Sequence, residues 1–322
     1  MFECFPRQTA VVERTHLRYI NLPNILNDAK TDRAARITGF VSLFLGREVW
    51  WILIERGEPL TAARLREEQR EIVPIEDVLD AARREQERAD LAYYHVTEAQ
   101  LAAMYATVAS QPLFQAPEGD MGRPGQLFGA LQQRAFEGVL ELRGTRAVHY
   151  VTFEAGRVRQ LYLAGQLPGE SRERALERIF FAPEREPLQA WCYAPVSAIS
   201  AQAPLALVTL YRRIVHELVE HSGSGDAVGW FRIGLQRAAV EYPELAGITL
   251  EETGEVHSGA EGVASADRLT AAYGAWIGAA LQSGASAGAF DPAELVERVT
   301  RQHRFALERQ GFYQRLPWPV QH

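Results

Sequence analysis

The sequence is poor in cysteine and has no long apolar run. Only two cysteines, Cys4 and Cys192, occur among the 322 residues, and their spacing fits neither a disulfide framework nor a metal site. Two lone thiols in a chain of this length are typical of a reducing compartment, so we expect a cytoplasmic protein. The longest apolar run, residues 49–54, is too short to cross a bilayer. The first residues also lack the basic and apolar regions of a secretory signal.

The chain has no excess of positive charge either. Its 34 Lys and Arg residues are outnumbered by 41 Asp and Glu residues, which gives a formal net charge of −7. Because phosphate neutralisation dominates affinity for nucleic acids, this balance argues against nucleic acid as a partner. We therefore expect no nucleic-acid binding and no membrane insertion.

The motifs of common catalytic and cofactor sites are missing as well. His216 and His221 lie five residues apart, about 140° around a helix, so they diverge and do not form the i, i+4 pair of a zinc motif. The glycines at 223–229 come directly after a predicted helix, whereas the glycines of a phosphate loop come after a strand. No serine stands in a GxSxG elbow, and His149 and His257 are isolated. The sequence therefore predicts no catalytic, cofactor-binding or metal-binding residues.

What the sequence does contain is a β-meander at residues 138–163, GVLELRGTRAVHYVTFEAGRVRQLYL. Residues 139–142 alternate with the period of a half-buried strand. Residues 147–153 form a second run, rich in β-branched and aromatic residues, and residues 158–163 return as a third strand. Glycines separate the runs, as tight hairpin turns require. A helix at 126–134 precedes the meander.

The same pattern occurs earlier in the chain, at residues 39–60. The two segments align without a gap, and the alignment matches Trp51 with Tyr150. Self-similarity at a fixed offset is the signature of repeated modules. The offset of 99 residues also aligns the glycines that open the meanders and those of the second turns, and we interpret all four as structural turn residues: Gly39 with Gly138, and Gly57 with Gly156.

The second meander resembles the PATAN (DUF4388) domain family. A helix, then EGVL at 137–140 and FEAGRV at 153–158, match the family pattern of a helix, "tGxLxl" and "hhFxxGxhhxA", in which h is apolar. The resemblance is clearest in residues 126–195. A more divergent tandem copy occupies about 22–96, where Pro59 stands at the start of the third strand.

The resemblance implies a regulatory role through protein contacts. PATAN domains often stand beside receiver domains in bacterial signalling proteins, and some resemble regulators that dock on the motor ATPase of type IV pili. This sequence shows no receiver domain. We therefore expect a non-catalytic cytosolic adaptor of bacterial signalling or surface-motility control, with a protein partner or a second copy of itself. Two alternatives stay open: an enzyme with an unrecognised site in the C-terminal helical domain, and a structural subunit of an oligomeric assembly.

Composition and periodicity divide the chain. Apolar stripes at i, i+3, i+4 and i+7 predict helices throughout the last third, whereas the charged residues at 64–70 predict a loop or an exposed helix. We therefore predict an α+β chain of two tandem helix-plus-β-meander modules followed by an all-α helical bundle. The boundaries are module one at 1–111, a linker at 112–124, module two at 125–198, and the bundle at 199–322.

Trp50 and Trp51 are the most informative pair for an interface. Neighbouring residues of a strand face opposite sides, so Trp51 shares one face with Val49 and Leu53 while Trp50 lies on the other. A strand that is apolar on both faces is covered on both sides. We expect Trp51 in the core of its own module, and we keep two interpretations for Trp50: a core residue or a partner interface.

Overall fold

The computed structural model describes residues 4–31, 36–66, 69–116, 124–165, 170–181, 187–257, 259 and 261–320. The chain forms two compact units, one of Met1–Ile72 with Asp77–Ile199, the other of Val73–Glu76 with Ser200–His322. The first unit contains two large sheets and the second is mostly helical. The predicted α+β class is therefore confirmed at this level.

A six-stranded antiparallel sheet forms the first half of the first unit, in the order β1-β6-β2-β3-β4-β5. Its strands are β1 Thr9–His16, β2 Gly39–Leu45, β3 Glu48–Glu55, β4 Glu58–Leu65, β5 Arg70–Val73 and β6 Asp90–His95. The helices of this part are α1 Leu22–Thr31, α2 Ile75–Arg84 and α3 Glu98–Ala109. The loop or helix predicted at 64–70 is wrong at its ends, because Arg64 and Leu65 end β4 and Arg70 begins β5. Residues 66 and 69 belong to no strand or helix, and 67–68 lie outside the described residues.

A five-stranded sheet follows, in the order β10-β9-β8-β11-β7. Its strands are β7 Phe114–Ala116, β8 Gly138–Arg143, β9 Val148–Glu154, β10 Arg157–Tyr162 and β11 Gln189–Tyr193, with helices α4 Pro124–Gln133 and α5 Arg172–Phe180. The segment predicted as a linker at 112–124 therefore contributes a strand, β7, that pairs with β11. Residues 117–123 of that linker lie outside the described residues.

The two sheets pair their strands in the same register. Gly39 lies opposite Ile54 in the first sheet, and Gly138 lies opposite Phe153 in the second. Every residue pair of β8–β9, β8–β11 and β9–β10 has a counterpart 99 positions earlier in the first sheet. The irregularity in β10 also falls where β4 has one, just after Pro59, which lies inside β4 and does not prevent the strand.

The two second turns have the same backbone conformation. Arg56 and Gly57 have φ angles of 49° and 84°, and Ala155 and Gly156 have φ angles of 49° and 76°. Positive φ at both central residues defines the hairpin turn that suits twisted strands, and it favours glycine. Gly57 and Gly156 thus hold equivalent positions in two-residue turns.

Gly39 and Gly138 are not turn residues, which corrects the prediction for these two positions. They begin β2 and β8, and a Cβ atom on either would lie 2.1 Å from a backbone oxygen, that of Tyr94 or of Tyr193 respectively. No side chain fits at that distance. These two glycines allow close approach of neighbouring strands.

Helix α3 packs against strands of both sheets. It contacts β2 and β3 of the first sheet and β8 and β9 of the second, and all its residues from Gln100 to Val108 except Ala102 are buried. A helix that is apolar all round needs cover on every side. One hydrophobic cluster accordingly includes Trp51 of the first sheet, Met104 of α3 and Tyr150 of the second sheet. The opposite face of the second sheet packs on α4 and α5.

The second unit is organised around one long helix. Its elements are α6 Leu205–His221, α7 Ala227–Glu241, β12 Thr249–Leu250, β13 Val256–His257, α8 Ala266–Ser286, α9 Pro292–Thr300 and α10 Arg304–Arg309. Trp276 and Ile277 of α8 are fully enclosed, and Gly234 of α7 lets that helix approach Ala280 closely. The β12–β13 hairpin departs from the predicted all-α bundle. Among the described residues, no helix is both long and apolar enough to cross a membrane.

Candidate interaction surface

Trp50 does not present an open surface to a partner. Only 8% of the residue is exposed, its Nε1 donates a hydrogen bond to Glu48 Oε2 at 3.1 Å, and the Arg64 guanidinium lies 5.1 Å from its ring centre. Arg64 is itself paired with Glu71 of β5. The core interpretation of Trp50 is therefore favoured over the partner interface.

The outer edge of β10 is unpaired in the part of the chain that the structure describes. β10 is the end strand of its sheet, and no other strand among the described residues pairs with its outer side. Its first four residues, Arg157 to Gln160, are exposed, and Val158 has 43% of its surface exposed. An edge strand offers unpaired N–H and C=O groups as a template for another strand.

The corresponding strand of the first sheet is covered. β4 holds the same place as β10, but β5 lies beside it. Glu71 of β5 accepts a hydrogen bond from Arg64 Nε at 2.6 Å. The residues of β4 from Thr61 to Ala63 are buried, whereas Glu58 to Leu60, which align with Arg157 to Arg159, are exposed or half-buried. The strand orders of the two sheets are otherwise the same, so the second sheet lacks only a counterpart of β5 among the described residues.

Positive charge marks the open edge. β10 contains two arginines, Arg157 and Arg159, and no acidic residue. Arg159 Nη1 lies 3.2 Å from Glu154 Oε2, but both side chains are more than 60% exposed, so solvent screens this pair strongly. Among the described residues, the edge therefore combines a strand side without a neighbouring strand with accessible guanidinium groups.

A buried ionic cluster lies on the face of the second sheet opposite α4 and α5. Glu141 receives Arg70 Nη1 at 2.5 Å on one oxygen and Arg143 Nε at 2.8 Å on the other. Arg143 also donates to Tyr193 Oη at 2.7 Å and lies over the ring of Trp191. Burial opposes the charge on Arg70, but the Glu141 carboxylate holds the pKa of Arg70 above its usual value. The cluster uses its charges to join strands and leaves no open face for a ligand.

The second unit has a comparable buried pair. Arg212 contacts Glu261 Oε1 with Nη2 at 2.7 Å, and Glu261 Oε2 accepts a hydrogen bond from Gly259 N at 2.7 Å. Tyr211 and Tyr273 stack nearby with ring centres 5.0 Å apart, and burial raises the pKa of the Tyr273 hydroxyl. These groups hold helices together, and no nucleophile lies beside a general base among them.

The histidines considered from the sequence do not converge. His221 Nδ1 lies 2.8 Å from the carbonyl oxygen of Glu217 on its own helix. His149 is buried in β9, and its Nδ1 accepts a hydrogen bond from Ala164 N at 3.0 Å. His257 does have neighbours that sequence reasoning missed. Its ring nitrogen and carboxylate oxygens of Glu251 and Glu255 lie within 4.8 Å of one another on the exposed β12–β13 hairpin.

Two grooves open on the first unit. One of about 440 Å³ is lined by residues 17–23 and by α2, and one of about 160 Å³ lies between α3 and β8–β9. Their linings contain no histidine, serine or cysteine. Neither groove therefore contains a serine or cysteine nucleophile beside a histidine base.

No protein-family model, no curated protein and no solved structure matches the chain. The resemblance to PATAN domains therefore stays a prediction, which the residues at 137–158 support. The open edge of β10 is the feature of the described residues that best suits contact with another molecule.

Proposed function

We propose that the chain is a non-catalytic adaptor built of two tandem PATAN-like modules and a helical domain, and that it acts by binding another protein in bacterial signalling or surface-motility control. Module one spans the six-stranded sheet and module two the five-stranded sheet. The cytoplasm is its proposed location.

One observation carries the proposal: the two sheets share strand order and register at a constant offset of 99 residues. Register depends on the local apolar pattern and on turn geometry. Two unrelated sheets would therefore not be expected to have the same residue register in three adjacent strand pairings. The turns at Gly57 and Gly156 and the close strand approaches at Gly39 and Gly138 repeat at the same offset. Duplication of one module is the simplest origin of this agreement.

The difference between the modules favours a binding role. In module one the chain itself fills the place beside the third strand of the meander with β5. In module two no described strand lies beside the equivalent strand, β10, whose edge is charged. The buried charges of both units are paired within the chain, which leaves them in structural roles.

The experiment is affinity capture of the tagged full chain from cells of its own source, followed by gel filtration and mass spectrometry. We expect one protein to stay bound in a fixed ratio through gel filtration, and to be absent when the tag alone is used. A chain that elutes without a partner, and that instead carries a bound cofactor or turns over a substrate, would contradict the adaptor function.

A further inference from the structure

We propose that the outer edge of β10 is the docking site for an extended, acidic segment of a partner protein, which adds to the second sheet as its sixth strand. This inference rests on the proposed adaptor function and names the site and the kind of partner. The added strand takes the place beside β10 that β5 takes beside β4.

The backbone of β10 is arranged to accept a strand. Glu154 and Arg157 flank the two-residue turn of the β9–β10 hairpin, so they form the hydrogen-bonded pair that closes it. Because hydrogen-bonding groups alternate in direction along a strand, the N–H of the next residue, Val158, points away from β9. Main-chain groups of this kind provide the affinity when a peptide adds to a sheet edge.

Module one shows what such an occupant looks like. β5 has the sequence Arg70-Glu71-Ile72-Val73. It brings a β-branched pair that suits a strand, and its acidic residue, Glu71, bonds to Arg64 of β4. β5 thus shows that an acidic side chain of an added strand can pair with an arginine of the strand beside it, although Arg64 aligns with Leu163 and the arginines of β10 stand nearer its start.

Charge makes an acidic segment a better occupant than a second copy of β10. Arg157 and Arg159 are the charged residues of β10, and Arg157 forms no ion pair with any described residue. Two β10 strands placed side by side would bring arginines together, and like charges on neighbouring strands are destabilising. An acidic strand would instead form opposite-charge pairs along the edge.

The other sheet edges are less suitable. The edge strand of the first sheet, β1, has two irregularities in its pairing with β6. Its charged residues are already engaged, Glu13 with Arg7 and Arg14 with Asp90. Bulges and paired charges are the usual protection of an edge, and β10 has fewer of them, with one irregularity between Val158 and Gln160 and one paired arginine, Arg159. β7 has only three residues.

The probe for the test is a fluorescent seven-residue peptide in which glutamate alternates with valine and isoleucine, beside a matched peptide with lysine in place of glutamate. The full chain is compared with Arg157→Glu/Arg159→Glu and with the control Arg237→Glu/Arg309→Glu, which makes the same charge change at exposed positions of the second unit. We expect the acidic peptide to bind the parent and the control equally, and the β10 variant at least about tenfold more weakly. The lysine peptide should prefer the β10 variant.

A second variant separates backbone pairing from charge. Val158→Pro removes the outward N–H and keeps both arginines, and the fold tolerates proline there because Pro59 holds the same register position in β4. We expect weaker binding of the acidic peptide to this variant. Hydrogen exchange of the parent should show that the peptide protects the amides of β10 and leaves those of β1 unchanged.

Three results would overturn the proposal. One is equal binding of the acidic peptide to the parent and to the β10 variants, or no binding to any of them. Another is protection that appears at β1 instead of β10. The third is a dimer in light scattering that Arg157→Glu/Arg159→Glu converts to a monomer, because a second copy would then occupy the edge. If a captured partner stays bound to both β10 variants, the adaptor function stands and the β10 site fails.

Discussion

Arg70 Nη1 lies 2.5 Å from Glu141 Oε1, and this ion pair joins strand β5 of the first sheet to strand β8 of the second. The exposed fractions of the two side chains are 4% and 0%. The second oxygen of Glu141 bonds Arg143, also buried. One carboxylate therefore neutralises part of the charge on two guanidinium groups that are almost completely buried. The pairing ties the sheets of the first unit together.

Glu141→Gln should destabilise the first unit strongly. The substitution leaves two buried guanidinium groups without their counter-charge, and loss of one partner from a buried ion pair costs about 3–5 kcal/mol. The measurement is urea denaturation of the full chain, followed by tryptophan fluorescence. Glu154→Gln is the control, because the Glu154 side chain is mostly exposed and its loss should change the free energy of unfolding by less than about 0.5 kcal/mol. Equal effects of the two substitutions would show that the buried pair is not needed.

Trp51→Ala should cost more stability than Trp50→Ala. Trp51 is completely enclosed in the core around α3, with its ring centre 4.9 Å from that of Phe5, and truncation of a buried aromatic costs about 3–5 kcal/mol. Trp50 is slightly exposed, and the flexible side chain of Arg64 partly covers it. When the Trp50 ring is removed, Arg64 and solvent can fill the space, so the cost in stability is smaller. Thermal unfolding beside gel filtration measures both. A Trp50→Ala variant that unfolds first would reverse this assignment of the faces.

The meanders could be predicted because their signals are local. The runs around Trp51 and Tyr150 are short and rich in β-branched and aromatic residues, which favours strands, and glycine at positions 57 and 156 fits the positive φ of the turns. Strand β5 could not be predicted in this way. It follows a run dense in charge, and Arg70 becomes a core residue only because Glu141, distant in sequence, neutralises it.

The candidate site was harder to predict than the fold. The sequence of β10 reads as an ordinary strand, and its openness depends on which strand lies beside it in the sheet. One signal was present: residues 163–171 contain no apolar run that matches β5. The sequence instead allowed a partner interface at Trp50, because it does not show that Arg64 lies over the Trp50 ring and that Glu48 accepts its hydrogen bond.

Gly39→Ala should destabilise the first sheet. A Cβ at this position would lie 2.1 Å from the Tyr94 carbonyl oxygen, so β2 and β6 would have to separate, and we expect a loss of about 1–3 kcal/mol, as for other overpacked sites. Gly129→Ala is the matched control. Gly129 lies in α4 with nothing within 4 Å of the added atom, and alanine in a helix is favoured by about 0.5–1 kcal/mol. Calorimetric midpoints that move in the same direction would contradict this reading.

Zinc should not bind between His216 and His221. The His221 ring bonds its own helix backbone through Nδ1, and the two residues diverge around α6. Elemental analysis of the purified chain tests this. One zinc per chain that is lost in His216→Ala would contradict the prediction, whereas zinc lost only in His257→Ala would assign the metal to the hairpin group with Glu251 and Glu255.

The buried thiol of Cys192 should lower the free energy of unfolding as the pH rises above about 9. Burial in β11 raises the pKa of its thiol to about 12, from an ordinary value of 9.0. Between these values the unfolded chain releases the proton and the folded chain keeps it, so the unfolded state binds fewer protons and stability falls as pH rises above about 9. The thiol contributes at most about 2 kcal/mol of this loss between pH 9 and 10.5, at 1.36 kcal/mol per pH unit.

The measurement is the free energy of unfolding in urea at pH 8, 9, 10 and 10.5 for the parent and for Cys192→Ala. The variant starts lower because it loses packing, but its curve should decline less steeply above pH 9. Buried tyrosines such as Tyr93 and Tyr211, whose pKa values burial raises to about 12, add a decline common to both proteins, so the difference between the curves isolates the thiol.

A disulfide reagent gives an independent check. In Cys4→Ser the remaining thiol should stay unreactive at pH 8 until urea unfolds the chain, and rapid labelling of the native protein would show that Cys192 is not enclosed.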